Sequence, residues 1–381
     1  MRPHKKPLNP HFSSGPTSKF PGWSLDAIDT TSLSRSHRAP QPKSRLKRVI
    51  EESKRLLGIP ADYLVGIVPA SDTGAMEMAM WSLLGQRGVD VLAWESFGTG
   101  WVSDLRNQLR LDDVRAFTAG YGDLPDLSSV DPERDVVFTW NGTTSGVVVP
   151  DATWISNERE GVVICDATSA AFAISIEWDK LDVVTWSWQK ALGGEAGHGM
   201  LALSPRAVER LASHTPPWPL PKIFRLTKGD KLISDLFEGA TINTPSMLAV
   251  EDHLAGLAWA EQIGGLAELI ARSQRNLTTI TDWVTATPWV AFLASRPEQR
   301  SSTSICLSII EPWFTDLPEA GQRQLIKQIA SRLEDEGVAL DIAGYRDAPP
   351  GLRIWGGSTV EATDIAQLLP WLDWAFANLE R

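Results

Sequence analysis

Short apolar runs, several of them ending on a polar or charged residue, alternate with helix-patterned segments through this chain, and they restrict its fold more than any other feature. The runs lie at residues 64–68, 89–94, 136–140, 162–165, 183–188 and 200–204, each short enough to be a buried strand. After the first of them, Met76, Met80 and Leu83-Leu84 recur at helical spacing. Strands alternating with helices predict an α/β fold whose mostly parallel sheet is covered by helices on both faces. In such sheets a ligand lies beyond the carboxyl ends of the strands, so the residues that end the runs are candidates for one shared site. The run at 162–165 ends at Asp166, and the run at 183–188 ends at Gln189-Lys190.

A chain of 381 residues exceeds the usual single-domain size, which predicts two domains. Residues 1–41, rich in Ser, Pro and Thr, read as an irregular arm that Phe12, Phe20 and Trp23 can anchor. Residues 42–260 form the large α/β domain, opened by an amphipathic helix over 42–57 that Gly58 and Pro60 stop. The Ala/Leu-rich span 247–273 reads as a long connecting helical region, and 261–381 as a smaller α+β domain with helices near 276–285, 322–336 and 363–379 and strands at 303–310 and 351–355.

A net charge of −11 argues against nucleic acid or an anionic membrane surface as partner, while leaving room for a local basic pocket that takes a small anion. No apolar stretch approaches the roughly 18 residues needed to span a bilayer. The basic start, Met1 to Pro7, runs into Asn, Pro, Ser and Gly rather than an apolar segment, so the chain is expected to be soluble and cytoplasmic. Cys165 and Cys306 stand in apolar or strand-like stretches and read as buried thiols, and no Cys/His cluster has metal-ligand spacing.

Turns leave three further strand ends. Ser71-Asp72-Thr73-Gly74 joins a strand to a helix, where backbone N–H groups and the helix dipole favour a phosphate, although Asp72 or Thr73 would serve equally as a helix cap. The segment from Glu95 to Trp101 carries Phe97 and Trp101, either of which could stack on a flat ring. Asn141-Gly142-Thr143 places an amide and a hydroxyl at the same edge. An acid that can pair with a pyridinium nitrogen and an amine that can form a Schiff base, here Asp166 and Lys190, are what pyridoxal phosphate requires.

In this order of parts the chain resembles the fold-type I pyridoxal-phosphate enzymes, and among them the class V aminotransferases. The phosphate turn at Asp72-Thr73, the aromatic Phe97, Thr143 after an Asn, Asp166, and Lys190 placed 24 residues after Asp166 follow that family's sequence of parts. The chain is more closely similar to the phosphoserine aminotransferase family, through Ser36-His37-Arg38, Trp188-Gln189-Lys190, Asn243-Thr244-Pro245, and Tyr345-Arg346 followed by Gly351-Leu352-Arg353. It departs from the family where Tyr345 stands in place of a usual His, Phe97 in place of a common Trp, and Ser71-Asp72-Thr73-Gly74 in place of a Gly-Gly-Arg turn.

The resemblance implies that Lys190 holds the cofactor covalently and then moves the substrate's α proton, while Asp166 keeps the ring nitrogen protonated. It implies cofactor contacts from Asp72, Thr73, Phe97, Thr143 and Gln189, and from Asn243 and Thr244 reaching the partner subunit of a homodimer. Arg353 would bind the substrate carboxylate, with His37, Arg38 and Arg346 around its phosphate, since arginine binds both groups bidentately. Phosphoserine, glutamate and 2-oxoglutarate are the small anionic substrates implied, in serine biosynthesis, with a phosphorylated hydroxythreonine of vitamin B6 synthesis as a second possible substrate. Three other readings compete. An alanine or serine:glyoxylate aminotransferase gives no reason for His37-Arg38, and a cysteine desulfurase needs a Cys on a mobile loop. A non-catalytic relative has no need of both Asp166 and Lys190.

Overall fold

The computed structural model describes residues 2–380. After an arm containing two short 3-10 turns, the chain forms α1 (Pro40–Leu57), β1 (Leu64–Pro69), α2 (Ser71–Leu83), β2 (Val89–Ala93), α3 (Ser96–Ser103), β3 (Val114–Thr118) and β4 (Asp135–Thr139). A small hairpin of β5 (Asn141–Gly142) and β6 (Val147–Val148) follows, then β7 (Val163–Asp166), β8 (Val183–Ser187), β9 (His198–Leu203), α4 (Pro205–Ser213), and the hairpin β10 (Thr227–Lys228) and β11 (Lys231–Leu232). The rest is α5 (Met247–Gln262), α6 (Gly265–Ala286), β12 (Val290–Phe292), β13 (Ser304–Ile309), α7 (Pro312–Thr315), α8 (Glu319–Asp335), β14 (Leu352–Trp355) and α9 (Ala362–Ala377).

Seven strands build one sheet in the order β1-β9-β8-β7-β4-β2-β3. The pairs β2–β3, β2–β4, β4–β7 and β7–β8 are parallel, whereas β9 runs antiparallel to both β8 and β1. The sheet is therefore mostly parallel, and β1, β2, β4, β7 and β8 all end at the same edge. Both faces are covered. Ile164, Val137 and Leu201 face a core shared with Met76 and Leu83 of α2, while Cys165, Phe138 and Met200 face one shared with Leu46 and Val49 of α1 and Leu254 of α5. Alternate residues of β7 thus serve opposite layers, as a pleated strand requires. A third core gathers β13, β14, α8 and α9 around Trp355 and Ile329, and Phe12 of the arm is buried in it.

Three details differ from the sequence reading. Helix α1 begins at Pro40, a proline being well suited to a first helical turn, where its missing N–H is no loss. The helical region expected over 247–273 and the short helix at 276–285 are α5 and α6, divided at Gly264 and Gly265, whose φ of 121° and 70° break the helical path. Strand β3 carries no apolar run because it is the sheet's edge and is only partly covered. Among the described residues, no helix is long and apolar enough to cross a membrane.

Candidate active site

A cavity of about 200 Å³ opens at the edge where β1, β2, β4, β7 and β8 end. Asp72, Thr73, Phe97, Thr143, Asp166, Gln189 and Lys190 all line it, so five separate turns deliver side chains to one space. A larger groove of about 550 Å³ lies elsewhere, by Leu124, Trp154 and Arg296, but its Asp126 and Asp151 only cap neighbouring turns.

Asp166 ends β7 and is 4% exposed. One carboxylate oxygen accepts the Thr168 backbone N–H at 2.9 Å and the other accepts the indole N–H of Trp101 at 3.2 Å. Lys190 is buried beyond the end of β8, and no carboxylate among the described residues pairs with it. Its Nζ donates instead to the backbone carbonyl of Ser14 at 2.5 Å. Burial, followed by repulsion from Arg353, lowers the amine to about 8 against the opposing pull of Asp166, Asp72 and Glu95. About a tenth of the amine is therefore neutral at pH 7, far more than for an ordinary lysine, and a nucleophilic amine needs that form.

The arm forms the roof. The Thr17 N–H donates to the Gln189 carbonyl at 3.0 Å and its hydroxyl to the Lys190 carbonyl at 2.6 Å. At Gly15, with φ of 147°, an added Cβ would lie 2.3 Å from Lys190 Nζ. Sequence reasoning took this stretch as irregular and found the role of none of Ser14, Gly15 and Thr17; the Gly15-Pro16 pair was the one available signal.

Helix α2 starts at Ser71 behind Ala70, both held in left-handed conformations with φ of 59° and 65°. Neither Asp72 nor Thr73 is the helix cap: that position is Ala70, which has no side chain able to bond the first turn. The first-turn N–H groups thus remain available at the cavity, and Gln189 Nε2 holds the Ser71 hydroxyl at 2.8 Å. Gly74 is required here, because a Cβ would lie 2.2 Å from the Pro69 carbonyl oxygen. The Asp72 side chain takes no part in the phosphate contact expected from the backbone of this turn. It is buried against Asp166 rather than turned outward to an anion, and a carboxylate would repel one; only the backbone of this residue suits a phosphate.

Thr143, at the tip of the β5–β6 hairpin, donates its hydroxyl to Ser169 Oγ at 2.8 Å, and Asn141 Nδ2 donates to the same oxygen at 2.8 Å. Phe97 is 40% exposed and its ring centre lies 5.7 Å from that of Tyr345. The guanidinium of Arg353 lies 5.5 Å from the Tyr345 ring centre and that of Arg346 5.7 Å from it. Arg353 Nε is buried without an acceptor, and among the described residues no carboxylate pairs with this side chain. Arg346 is exposed beside Asp347.

Besides Arg346 and Arg353, four more expected residues lie outside the cavity lining. His37 is buried near the start of α1 with Nε2 unpartnered, held below its ordinary value by burial and then by Arg38, which is exposed. Asn243 and Thr244 are exposed, with Asn243 Nδ2 bonded only to the Thr244 carbonyl.

No family model matches the chain. The phosphoserine aminotransferase of Methanosarcina mazei is 56% identical to it over 376 residues, covering 99% of each chain. That of Methanosarcina barkeri is 57% identical over the same length and coverage. Among solved structures, a phosphoserine aminotransferase from Cytophaga hutchinsonii matches 96% of this chain and 99% of its own at a TM-score of 0.80 and 19% identity. A ureidoglycine-glyoxylate aminotransferase from Bacillus subtilis matches all of this chain and 96% of its own, with a TM-score of 0.77 at 14% identity, so the shape alone does not separate substrates.

Proposed function

The chain belongs to the phosphoserine aminotransferase family, and from that premise we propose how its own residues carry out transamination between phosphoserine and 2-oxoglutarate. Pyridoxal phosphate is the cofactor, and the cavity suits it on three counts. The uncapped start of α2 offers N–H groups to a phosphate, Asp166 offers a carboxylate to the ring nitrogen, and Lys190 offers a buried amine. When bound, the cofactor supplies an aldehyde for the amine and a ring that takes up electrons.

Each side chain then has a defined task. Asp166, held by Thr168 and Trp101, orients and charges the ring nitrogen. Phe97 would cover a ring face, and Thr143 with Gln189 and Ser71 borders the rest of the pocket. Lys190 would hold the cofactor through its buried amine and, as a free amine, would serve as the base for the proton on the substrate's α carbon. Arg353 would bind the substrate carboxylate, since a mostly buried guanidinium that no carboxylate among the described residues pairs with is stabilised by an incoming anion.

The observation that carries this reading is the gathering of Lys190, Asp166 and the open end of α2 in one cavity, with Arg353 beside it. The other five residues outside the lining support a homodimer. Asn243 and Thr244, exposed here, would complete the partner's phosphate site, and His37, Arg38 and Arg346 would meet the substrate phosphate. Purified enzyme given phosphoserine and 2-oxoglutarate should form glutamate; activity confined to alanine and glyoxylate would overturn the assignment.

A further inference from the structure

Two carboxyl groups share the floor of the cavity, and the proposed chemistry uses only one. Asp72 and Asp166 are 6% and 4% exposed, and both line the same space. Among the described residues, no Lys, Arg or His nitrogen pairs with either, because Lys190 is turned to Ser14. Asp166 already has two donors, Thr168 N–H and Trp101 Nε1–H. Asp72 has Oδ1 buried with no partner among the described residues, and the carboxyl of Asp166 and the equally unpartnered hydroxyls of Thr168 and Thr185 are its polar neighbours. Two ionised carboxylates in so dry a place repel strongly, and the positive end of α2 offsets the charge of one, not of both. Asp166 is fixed by two donors, whereas no donor among the described residues is aligned on Asp72, so the proton belongs on Asp72.

We infer that Asp72 is a neutral acid that donates its O–H to Asp166, a positioning residue that holds the catalytic carboxylate in one orientation. Burial and then the charge of Asp166 push the Asp72 carboxyl well above the usual carboxylate range, in agreement with that placement of the proton. Asp166 then accepts three hydrogen bonds, from Trp101, Thr168 and Asp72. Such a carboxylate keeps its orientation without a cation beside it. The consequence for the cofactor rests on the role proposed for Asp166; the protonation of Asp72 does not.

Infrared difference spectroscopy tests both parts. At neutral pH the wild-type enzyme, with or without pyridoxal phosphate, should show the C=O stretch of a buried protonated carboxyl, and the band should vanish in Asp72→Asn. Asp72→Asn keeps a donor, so pyridoxal phosphate should bind it within about twofold of wild type with an unshifted visible band. Asp72→Ala should lose about tenfold in cofactor affinity and shift that band. Absence of the protonated C=O band in wild type overturns the inference, as does an Asn variant that behaves like the Ala variant. Should Asp166→Asn leave the cofactor band untouched while the infrared band persists, the role of Asp166 fails and the protonation of Asp72 stands.

Discussion

The Nζ of Lys190 donates a 2.5 Å hydrogen bond to the backbone carbonyl of Ser14, a residue 176 positions earlier in the chain. The arm is thereby part of the site, and it is itself tied down by Phe12, which is fully buried in the core around Trp355 and Ile329. The Trp355 N–H also donates to the Phe12 carbonyl at 3.0 Å.

Gly15 tests this roof directly. Gly15→Ala would place a Cβ 2.3 Å from Lys190 Nζ at a φ of 147°. We expect at least a tenfold fall in kcat/KM, about 1.4 kcal/mol, with thermal stability changed far less. Unaltered kinetics in this variant would remove the arm from the site.

Phe12→Ala should destabilise the protein by about 3–5 kcal/mol, the usual cost of emptying a buried aromatic position. Denaturant unfolding measures it. Because the arm carries Ser14, cofactor affinity should fall as well; a stability loss with no change in affinity would separate anchor from roof.

Lys190 sets a pH dependence. The amine reacts only when neutral, and burial followed by Arg353 lowers it to about 8. Covalent uptake of pyridoxal phosphate by the cofactor-free enzyme should accelerate as pH rises through about 8 and then level off. Stopped-flow absorbance reads the rate, and an increase continuing toward pH 10 would show an ordinary exposed lysine. Lys190→Ala should abolish the covalent band entirely.

Acid should weaken the fold through a buried aromatic stack. Trp188 lies between His198 and His253, with ring centres 4.4 Å and 4.7 Å away. Burial is the first cause in both histidines, lowering His198 to about 4 and His253 to about 3. Both stay neutral in the fold while the unfolded chain takes up protons below its ordinary value of 6.5. Their contribution is complete above that value and drains away as pH falls toward 4 and 3, on the order of several kcal/mol at about 1.4 per pH unit. His253→Phe keeps the stack and should flatten the stability–pH slope in this window.

The shared-site proposal predicts complementation. Lys190→Ala and Asn243→Ala subunits, each nearly inactive alone, should recover part of the activity when co-expressed as mixed dimers. No recovery in a verified heterodimer counts against it.

Much of this site was legible because its parts end strands. Asp166, Lys190, Thr143, Thr73 and Phe97 each follow an apolar run, and parallel strands with a common direction must present their ends together. Arg353 was legible only by resemblance, and its link to the cavity passes through Tyr345 and Phe97, which no spacing foretells. The bond from Trp101 to Asp166 was hidden for a similar reason. A side chain one turn into α3 faces β7 only once the sheet order places β7 two strands from β2.

By itself, the sequence determined the local periods: which runs are strands, where Gly58 ends a helix, and which polar residues stand at the strand ends. Those properties depend on a few consecutive residues. The tertiary structure alone decided that Ser14 meets Lys190, that Asp72 turns from the phosphate turn toward Asp166, and that His37, Arg38, Asn243 and Thr244 stay outside the cavity of their own chain. These depend on burial and on contacts between segments far apart in the chain, as where burial and then the charge of Asp166, ninety-odd residues away, raise the Asp72 carboxyl.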